Sequence, residues 1–285
     1  RDVAPSRGLG DVYKRQEDGY HEVRMIMQTI HLYDLLEIQK IREPEIQIVS
    51  NLSFLPVNEN NLVYKAARLL QEEFALTDGI SVKLTKRIPV AAGMAGGSTD
   101  AAAMLYAMNQ LYDLGLSRRE LMKRGVQIGA DVPYCLMRGT ALAEGIGEKL
   151  TQLPPMIKCP VLIAKPSISV STKFVYQNLK LDEQTNHPDI DALMKDIREK
   201  DFDGVCAHMG NVLESVTIPN YPVIAEIKQQ MMRSGAKASM MSGSGPTVFG
   251  LFEDGETAKR ALREMKRSGL AKQVYLTTIY NNRRK

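Results

Sequence analysis

The residues Pro89 to Ala101 read Pro-Val-Ala-Ala-Gly-Met-Ala-Gly-Gly-Ser-Thr-Asp-Ala. They follow an alternating run, Ile80 to Lys86, and lead into an Ala-rich run from Ser98 to about Tyr112. The change of period places the glycines in a strand-to-helix turn. Such a turn suits an anion. Gly93, Gly96 and Gly97 let the backbone approach a ligand closely or take positive φ. The helix start adds unpaired N–H groups and a partial positive charge of about half a unit. Ser98, Thr99 and Asp100 are the candidate caps of that helix. The competing reading is a turn that merely lets strand and helix pack closely. A Walker loop is excluded because no Gly-Lys-Ser/Thr ending follows, and a dinucleotide fingerprint because no Gly-x-Gly-x-x-Gly with a later acidic residue is present.

Three further stretches carry polar side chains at breaks in regular structure. Asp131, in Gly129-Ala130-Asp131-Val132-Pro133, lies just past a helix end, a junction where functional side chains are often placed and where turn chemistry is the competing reading. Ser242-Gly243-Ser244-Gly245-Pro246 reads as a flexible loop between strands. Asp18-Gly19-Tyr20-His21 is a turn that delivers an aromatic ring and an imidazole to the next element.

The elements that must position these residues follow from periodicity. Strands are expected from Val23 to Leu32, Leu35 to Lys40 and Glu45 to Ser50, and a helix starts at Asn61 with Leu62, Ala66, Leu69, Leu70 and Phe74 on one face. A second helix, Ser117 to Ile128, opens on a capping box of Ser117 and Glu120. Tyr134 to Arg138 looks strand-like, and Gly145-Ile146-Gly147 marks a hairpin or bulge. Leu153-Pro154-Pro155 is the clearest linker, so the domain boundary is set at 156/157. The second half then reads as a strand at Val161 to Ala164, helices at Ser171 to Leu179, Asp189 to Lys200, Cys206 to Leu213 and Pro222 to Ser234, strands at Ala238 to Met241 and Thr247 to Phe252, a helix from Asp254 to Ser268, and a last strand from Gln273 to Thr278. That order approximates a split βαβ sandwich. Residues 1–16 show neither period and read as a loop.

The 285 residues are 44% apolar, enough for one large core or two smaller ones. A net charge of +4, from 37 basic and 33 acidic residues, argues against nucleic acid as the main partner. Cys135, Cys159 and Cys206 are odd in number and far apart, which points to free thiols and a cytoplasmic setting. No apolar run reaches the roughly 18 residues of a membrane span, so no membrane partner is expected.

Jointly, the glycine loop, the Asp131 junction and the late Ser-Gly loop resemble the GHMP kinase superfamily. Its members share a Pro-x3-Gly-Leu/Met-Ala/Gly-Gly-Gly-Ser-Ser/Thr phosphate loop and a glycine-rich third motif. The resemblance runs from residue 17 nearly to the end and is sharpened by Asp18 to His21, Gly129 to Pro133, Ala143 to Glu148 and Ser171-Thr172-x3-Tyr176. It implies a two-domain α+β fold: an N-terminal domain like ribosomal protein S5 domain 2 (1–156) and a ferredoxin-like C-terminal domain (157–285). It also implies ATP-dependent phosphorylation of an alcohol, here the 2-hydroxyl of a cytidine-diphosphate-linked methylerythritol, in non-mevalonate isoprenoid synthesis. Pro89, Ala91, Gly93, Met94, Ala95, Gly96, Gly97, Ser98 and Thr99 would bind ATP, with Asn61 and Leu62 near the adenine. Tyr20, His21, Thr172 and Tyr176 would bind the substrate, and Asp131 would be the general base. Ser242, Gly243, Ser244 and Gly245 form the third motif. Mg2+ is expected with ATP, with its ligands open beyond Ser98 as a neighbour, and the assembly is a monomer or homodimer. Another superfamily kinase, such as homoserine kinase, and a non-catalytic nucleotide-binding module are the alternatives. The family's first strand, roughly Ala-Lys-Ile-Asn-Leu, places a lysine fifteen residues before the tyrosine of the Asp-Gly-Tyr-His motif. Counting back from Tyr20 reaches Pro5, so an altered start lacking that strand and its lysine, and an impaired chain, are expected.

Overall fold

A computed structural model describes residues 5–15, 21–181 and 187–282. The chain forms two compact units that interleave along the sequence. One comprises Leu32–Val90 and Ala95–Arg138, and the other Ser6–His31, Ala91–Met94 and the chain from Gly139 onward. Position 156/157 therefore falls inside the second unit.

The first unit is built on a three-stranded sheet of β3 (Leu35–Ile41), β4 (Ile46–Ser50) and β5 (Gly79–Thr85), in the order β3-β5-β4. The central β5 runs antiparallel to β3 and parallel to β4. Its alternation turns Ile80, Val82 and Leu84 into a core shared with Ile46 and Ile48. Helix α1 (Leu62–Glu73) is capped by Asn61, whose Oδ1 accepts from Val63 N at 2.9 Å. Its buried face is Val63, Ala66, Ala67 and Leu70, one position round from the expected stripe, since Leu62, Leu69 and Phe74 are only half-buried. Helix α2 (Gly96–Leu111) packs Ala101, Ala102, Met104, Leu105 and Met108 into the same core. The expected capping box is present on α3 (Arg118–Ile128).

Residues 134–137 are helical, not a strand: α4 spans Val132–Met137, and Arg138 follows it. A short apolar run does not distinguish strand from buried helix by period alone. Pro133 decides it, because proline suits a first helical turn, where its missing N–H costs nothing.

The second unit contains two four-stranded sheets. The first has the order β1-β2-β6-β7, from β1 (Pro5–Arg15), β2 (His21–Thr29), β6 (Thr140–Gly145) and β7 (Lys149–Gln152). The expectation of a structureless start is thereby corrected: residues 5–15 form a strand at the sheet edge. An edge strand needs only one ladder of hydrogen bonds and tolerates Pro5, Gly8 and Gly10, which obscured its period. Val12 is 3% exposed and belongs to the unit's core. β6 and β7 form the anticipated hairpin through Gly145 and Gly147, both at positive φ.

The second sheet, β11-β8-β10-β9, uses β8 (Pro160–Lys165), β9 (Ala238–Met241), β10 (Val248–Leu251) and β11 (Gln273–Thr278), antiparallel throughout. With α9 (Val223–Arg233) and α10 (Gly255–Ser268) this is the ferredoxin-like arrangement. Ile224, Ile227, Met231, Ala258, Ala261 and Met265 fill the core beneath it. Helices α5 (Thr172–Asn178) and α6 (Ile190–Glu199) lie where expected. The stretch from Cys206 to Leu213 is not one helix: α7 (Phe202–His208) ends and α8 (Glu214–Asn220) begins after a break at Gly210 and Asn211.

The three cysteines are free. Cys135 and Cys159 are buried, Cys206 is half-buried, and burial pushes the thiols of Cys159 and Cys206 up to about 12 and about 11. Among the described residues no helix is long and apolar enough to cross a membrane.

Gly79 marks the tightest packing of the first sheet: a Cβ there would lie 1.9 Å from the Glu43 carbonyl oxygen and 2.4 Å from that of Glu45. Gly79→Ala should therefore lower stability by about 1–3 kcal/mol, the usual cost of overpacking. Urea denaturation reads this directly, and an unchanged midpoint would refute the close approach.

Candidate active site

The glycine loop has an unusual backbone. Ala91 (φ 50°), Gly93 (φ 69°) and Ala95 (φ 46°) all occupy the left-handed region. Two of the three are alanines, for which this conformation is costly, and such strain gathers at functional sites. Helix α2 begins at Gly96, two residues earlier than expected, so Ser98, Thr99 and Asp100 lie inside it and none is its cap. The cap position belongs to Ala95, which has no side-chain hydrogen bond to give. Thr99 donates instead to the Ala95 carbonyl at 3.0 Å. The first-turn amides of Gly96, Gly97 and Ser98 thus have no intrahelical partner, and among the described residues no side chain caps them. Amides at the start of a helix are the kind of group that can hold an anion.

In the first unit, the start of α1 and the turn that precedes Asp131 both adjoin the first turn of α2. A Cβ on Gly97 would meet Leu62 Cδ1 at 3.5 Å, which places the start of α1 beside the loop. Asn61 holds the approach to α1 by also donating to the Pro56 carbonyl at 2.7 Å. A Cβ on Gly129 would lie 3.9 Å from Ser98 Oγ, so the Gly129-to-Asp131 turn adjoins the first turn of α2. Asp131 occupies the N-cap position of α4 at 9% exposure with helical φ and ψ, and its side chain caps nothing. Pro89 and Met94 are buried supports of the loop.

In the second unit, Gly93 meets the late Ser-Gly loop backbone to backbone. Ser242 Oγ donates to the Gly93 carbonyl at 2.9 Å, and a Cβ on Gly93 would stand 2.3 Å from the Ser242 carbonyl oxygen. Ser244 Oγ shares a 2.8 Å hydrogen bond with Thr172 Oγ1 at the start of α5. Three motifs distant in sequence therefore meet. Tyr176, one turn further along α5, packs against the unit's core. His21 opens β2, its side chain lying outside the described residues, as does Tyr20 altogether.

One feature under the loop had no sequence signal. Lys86, just after β5, is buried between two buried carboxylates: its ammonium donates to Asp100 Oδ2 at 2.7 Å and to Asp34 Oδ2. The other oxygen of Asp34 accepts from the amides of Arg87 and Ile88, the latter at 2.9 Å. The second oxygen of Asp100 is buried with no hydrogen-bond partner among the described residues. Burial pushes the Asp100 carboxyl well above the ordinary carboxylate range; Lys86 opposes that shift and Asp34 adds to it. A Cβ on Gly96 would lie 3.3 Å from Lys86 Nζ, so the ammonium sits directly beneath the first residue of α2. Lys86 ended an alternating run and Asp100 resembled a cap; only the tertiary fold joins them to Asp34.

Comparison with known proteins gives the following. The model of the GHMP kinases N terminal domain matches residues 61–139, and that of the GHMP kinases C terminal domain matches residues 193–271. A 4-diphosphocytidyl-2-C-methyl-D-erythritol kinase of Lachnospira eligens is 58% identical over 95% of this chain and 94% of its own length. A crystal structure of 4-(cytidine 5'-diphospho)-2C-methyl-D-erythritol kinase superposes with a TM-score of 0.85 at 28% identity, covering 99% of this chain and 98% of the other. A homoserine kinase from Cytophaga hutchinsonii, with a TM-score of 0.74 at 21% identity over 98% of this chain and 95% of the other, shares the fold.

Removing the ammonium would leave two buried carboxylates facing each other. Lys86→Met should cost about 3–5 kcal/mol, the range for breaking a buried pair. The loss should deepen as pH rises above the ordinary carboxylate range. There the folded state holds a proton on the pair that the unfolded state releases, so stability falls with pH. Denaturant titrations between about pH 5 and pH 8 test this; a loss that shrinks as pH rises would refute the shared-ammonium account.

Proposed function

The chain belongs to the GHMP kinases, in the family of the 4-diphosphocytidyl-2-C-methyl-D-erythritol kinases, and on that premise we propose that it transfers the γ-phosphoryl group of ATP to the 2-hydroxyl of 4-diphosphocytidyl-2-C-methyl-D-erythritol. The observation that carries this reading is 58% identity to a protein of that name across nearly the whole of both chains. The glycine loop fits the chemistry. Phosphoryl transfer needs positioning and charge stabilisation more than covalent chemistry. The uncapped amides of Gly96, Gly97 and Ser98 and the positive end of α2 supply both to the triphosphate.

Asp131 acts as general base. Its carboxylate takes the proton of the attacking hydroxyl as the new P–O bond forms and the bond to the β-phosphate oxygen breaks, releasing ADP. Asn61 and Leu62 border the adenine. Tyr20 and Tyr176 flank the cytosine, whose polar edge pairs with His21, and such stacking is worth about 1–3 kcal/mol per base. Thr172 reaches the substrate from α5.

Mg2+ enters with the nucleotide. Among the described residues no group of three or more acidic, imidazole or thiol side chains could cage a metal. Mg2+ takes most of its oxygens from phosphate and water and only one or two from protein. Ser98 Oγ would be its protein neighbour, and the ion would supply charge neutralisation at the transferring phosphate.

Incubation with ATP, Mg2+ and the cytidine diphosphate substrate should release ADP and a phosphorylated product visible by 31P NMR, whereas homoserine should not react. Turnover of homoserine alone would overturn the substrate assignment. In Asp131→Asn, kcat should fall about a hundred- to ten-thousand-fold while ATP still binds, because a general base contributes that much. Undiminished turnover would remove Asp131 from the mechanism.

A further inference from the structure

We infer that Asn211 is a positioning residue for ATP, its side-chain amide holding the Ser242–Gly245 loop in the place where that loop braces Gly93. The inference rests on the kinase reading above and extends it to a residue that touches neither substrate.

Asn211 lies in the break between α7 and α8. Its Nδ2 donates to the carbonyl of Met241 at 2.9 Å and to that of Gly243 at 2.8 Å. Its Oδ1 accepts from Leu213 N at 3.0 Å. Two carbonyls on one side and an N–H on the other fix the orientation of the amide, because a flipped group would set its oxygen against both carbonyls. Both donors and the acceptor are thereby used. The two carbonyls belong to the residues on either side of Ser242, so one side chain brackets that residue.

The bracketing matters because the loop has little stiffness of its own. Gly243 (φ 56°) and Gly245 (φ 88°) both take positive φ, and glycine gives the unbound chain the most freedom to leave such a conformation. The same segment adds two further holds: Glu214 Oε1 accepts from Met241 N at 2.8 Å, and Thr217 Oγ1 donates to the Ser244 carbonyl at 3.4 Å. Ser242 then presses on Gly93 through its own carbonyl and hydroxyl. A shift of Ser242 would release Gly93 from its left-handed conformation and alter the loop at the nucleotide.

The test uses the full chain. Affinity for the β,γ-imido analogue of ATP with Mg2+ is measured by calorimetry, and steady-state KM for ATP and for the cytidine substrate by ADP release. Asn211→Ala should weaken nucleotide binding and raise KM for ATP about tenfold, the equivalent of one or two net hydrogen bonds, with KM for the cytidine substrate unchanged. Asn211→Asp keeps size and acceptor but has no donors, and should do at least as much, which guards against a misfolded Asn211→Ala. Asn109→Ala serves as the control. That amide bridges Leu116 O and N, each at 2.9 Å, on the far part of α2, so its loss should lower the melting temperature without changing KM for ATP. Nucleotide binding by both Asn211 variants at the wild-type level would overturn the inference, and so would an equal rise in KM for ATP in Asn109→Ala. A wild-type chain that binds no nucleotide would overturn the kinase reading and this inference together.

Discussion

The first unit depends on one ammonium shared by two buried carboxylates. Lys86 leaves the central strand, Asp34 precedes the edge strand β3, and Asp100 sits in the helix that carries the glycine loop, so sheet and helix are pinned at one point. Charges out of water are tolerated only with close partners, and attraction in a low-dielectric interior repays the desolvation only when the geometry is good. The arrangement also suits its location. An ammonium under a helix N-terminus would oppose the helix dipole, and the two carboxylates cancel that repulsion.

The second unit solves a different problem, the close approach of two backbones. Gly93 and the Ser242 carbonyl can meet only because no Cβ intervenes, and Ala91 and Ala95 flank that contact in conformations alanine avoids. Strain of this kind persists where surrounding contacts over-determine it. The Ser242 hydroxyl, the Thr172–Ser244 pair and the Asn211 amide are such contacts.

Much of this was legible in the sequence wherever period and turn chemistry agree. Ile80, Val82 and Leu84 announce β5, Ser117 and Glu120 announce α3, and the second-half order announces the ferredoxin-like sheet. Motif residues were also readable, although sequence could not show that Gly93, Ser242 and Thr172 lie within one chain of contacts. The failures have physical causes. Tyr134 to Met137 is too short a run for its period to decide, β1 is an edge strand interrupted by glycine, and the cap of α2 is a backbone conformation of Ala95 with no side-chain signature. Lys86, Asp34 and Asp100 escaped because a lysine ending an alternating strand normally faces water.

The masked thiols have a practical side. Burial raises the Cys159 and Cys206 thiols well above the ordinary range, so both stay protonated at pH 7, and Cys135 is 4% exposed. Thiolate is the form that alkylating reagents attack, so the native cysteines form a silent background. A single cysteine introduced on an exposed position, with an ordinary pKa of about 8.5, would take a fluorophore or spin label selectively and report loop motion without first stripping the chain of its own sulfur.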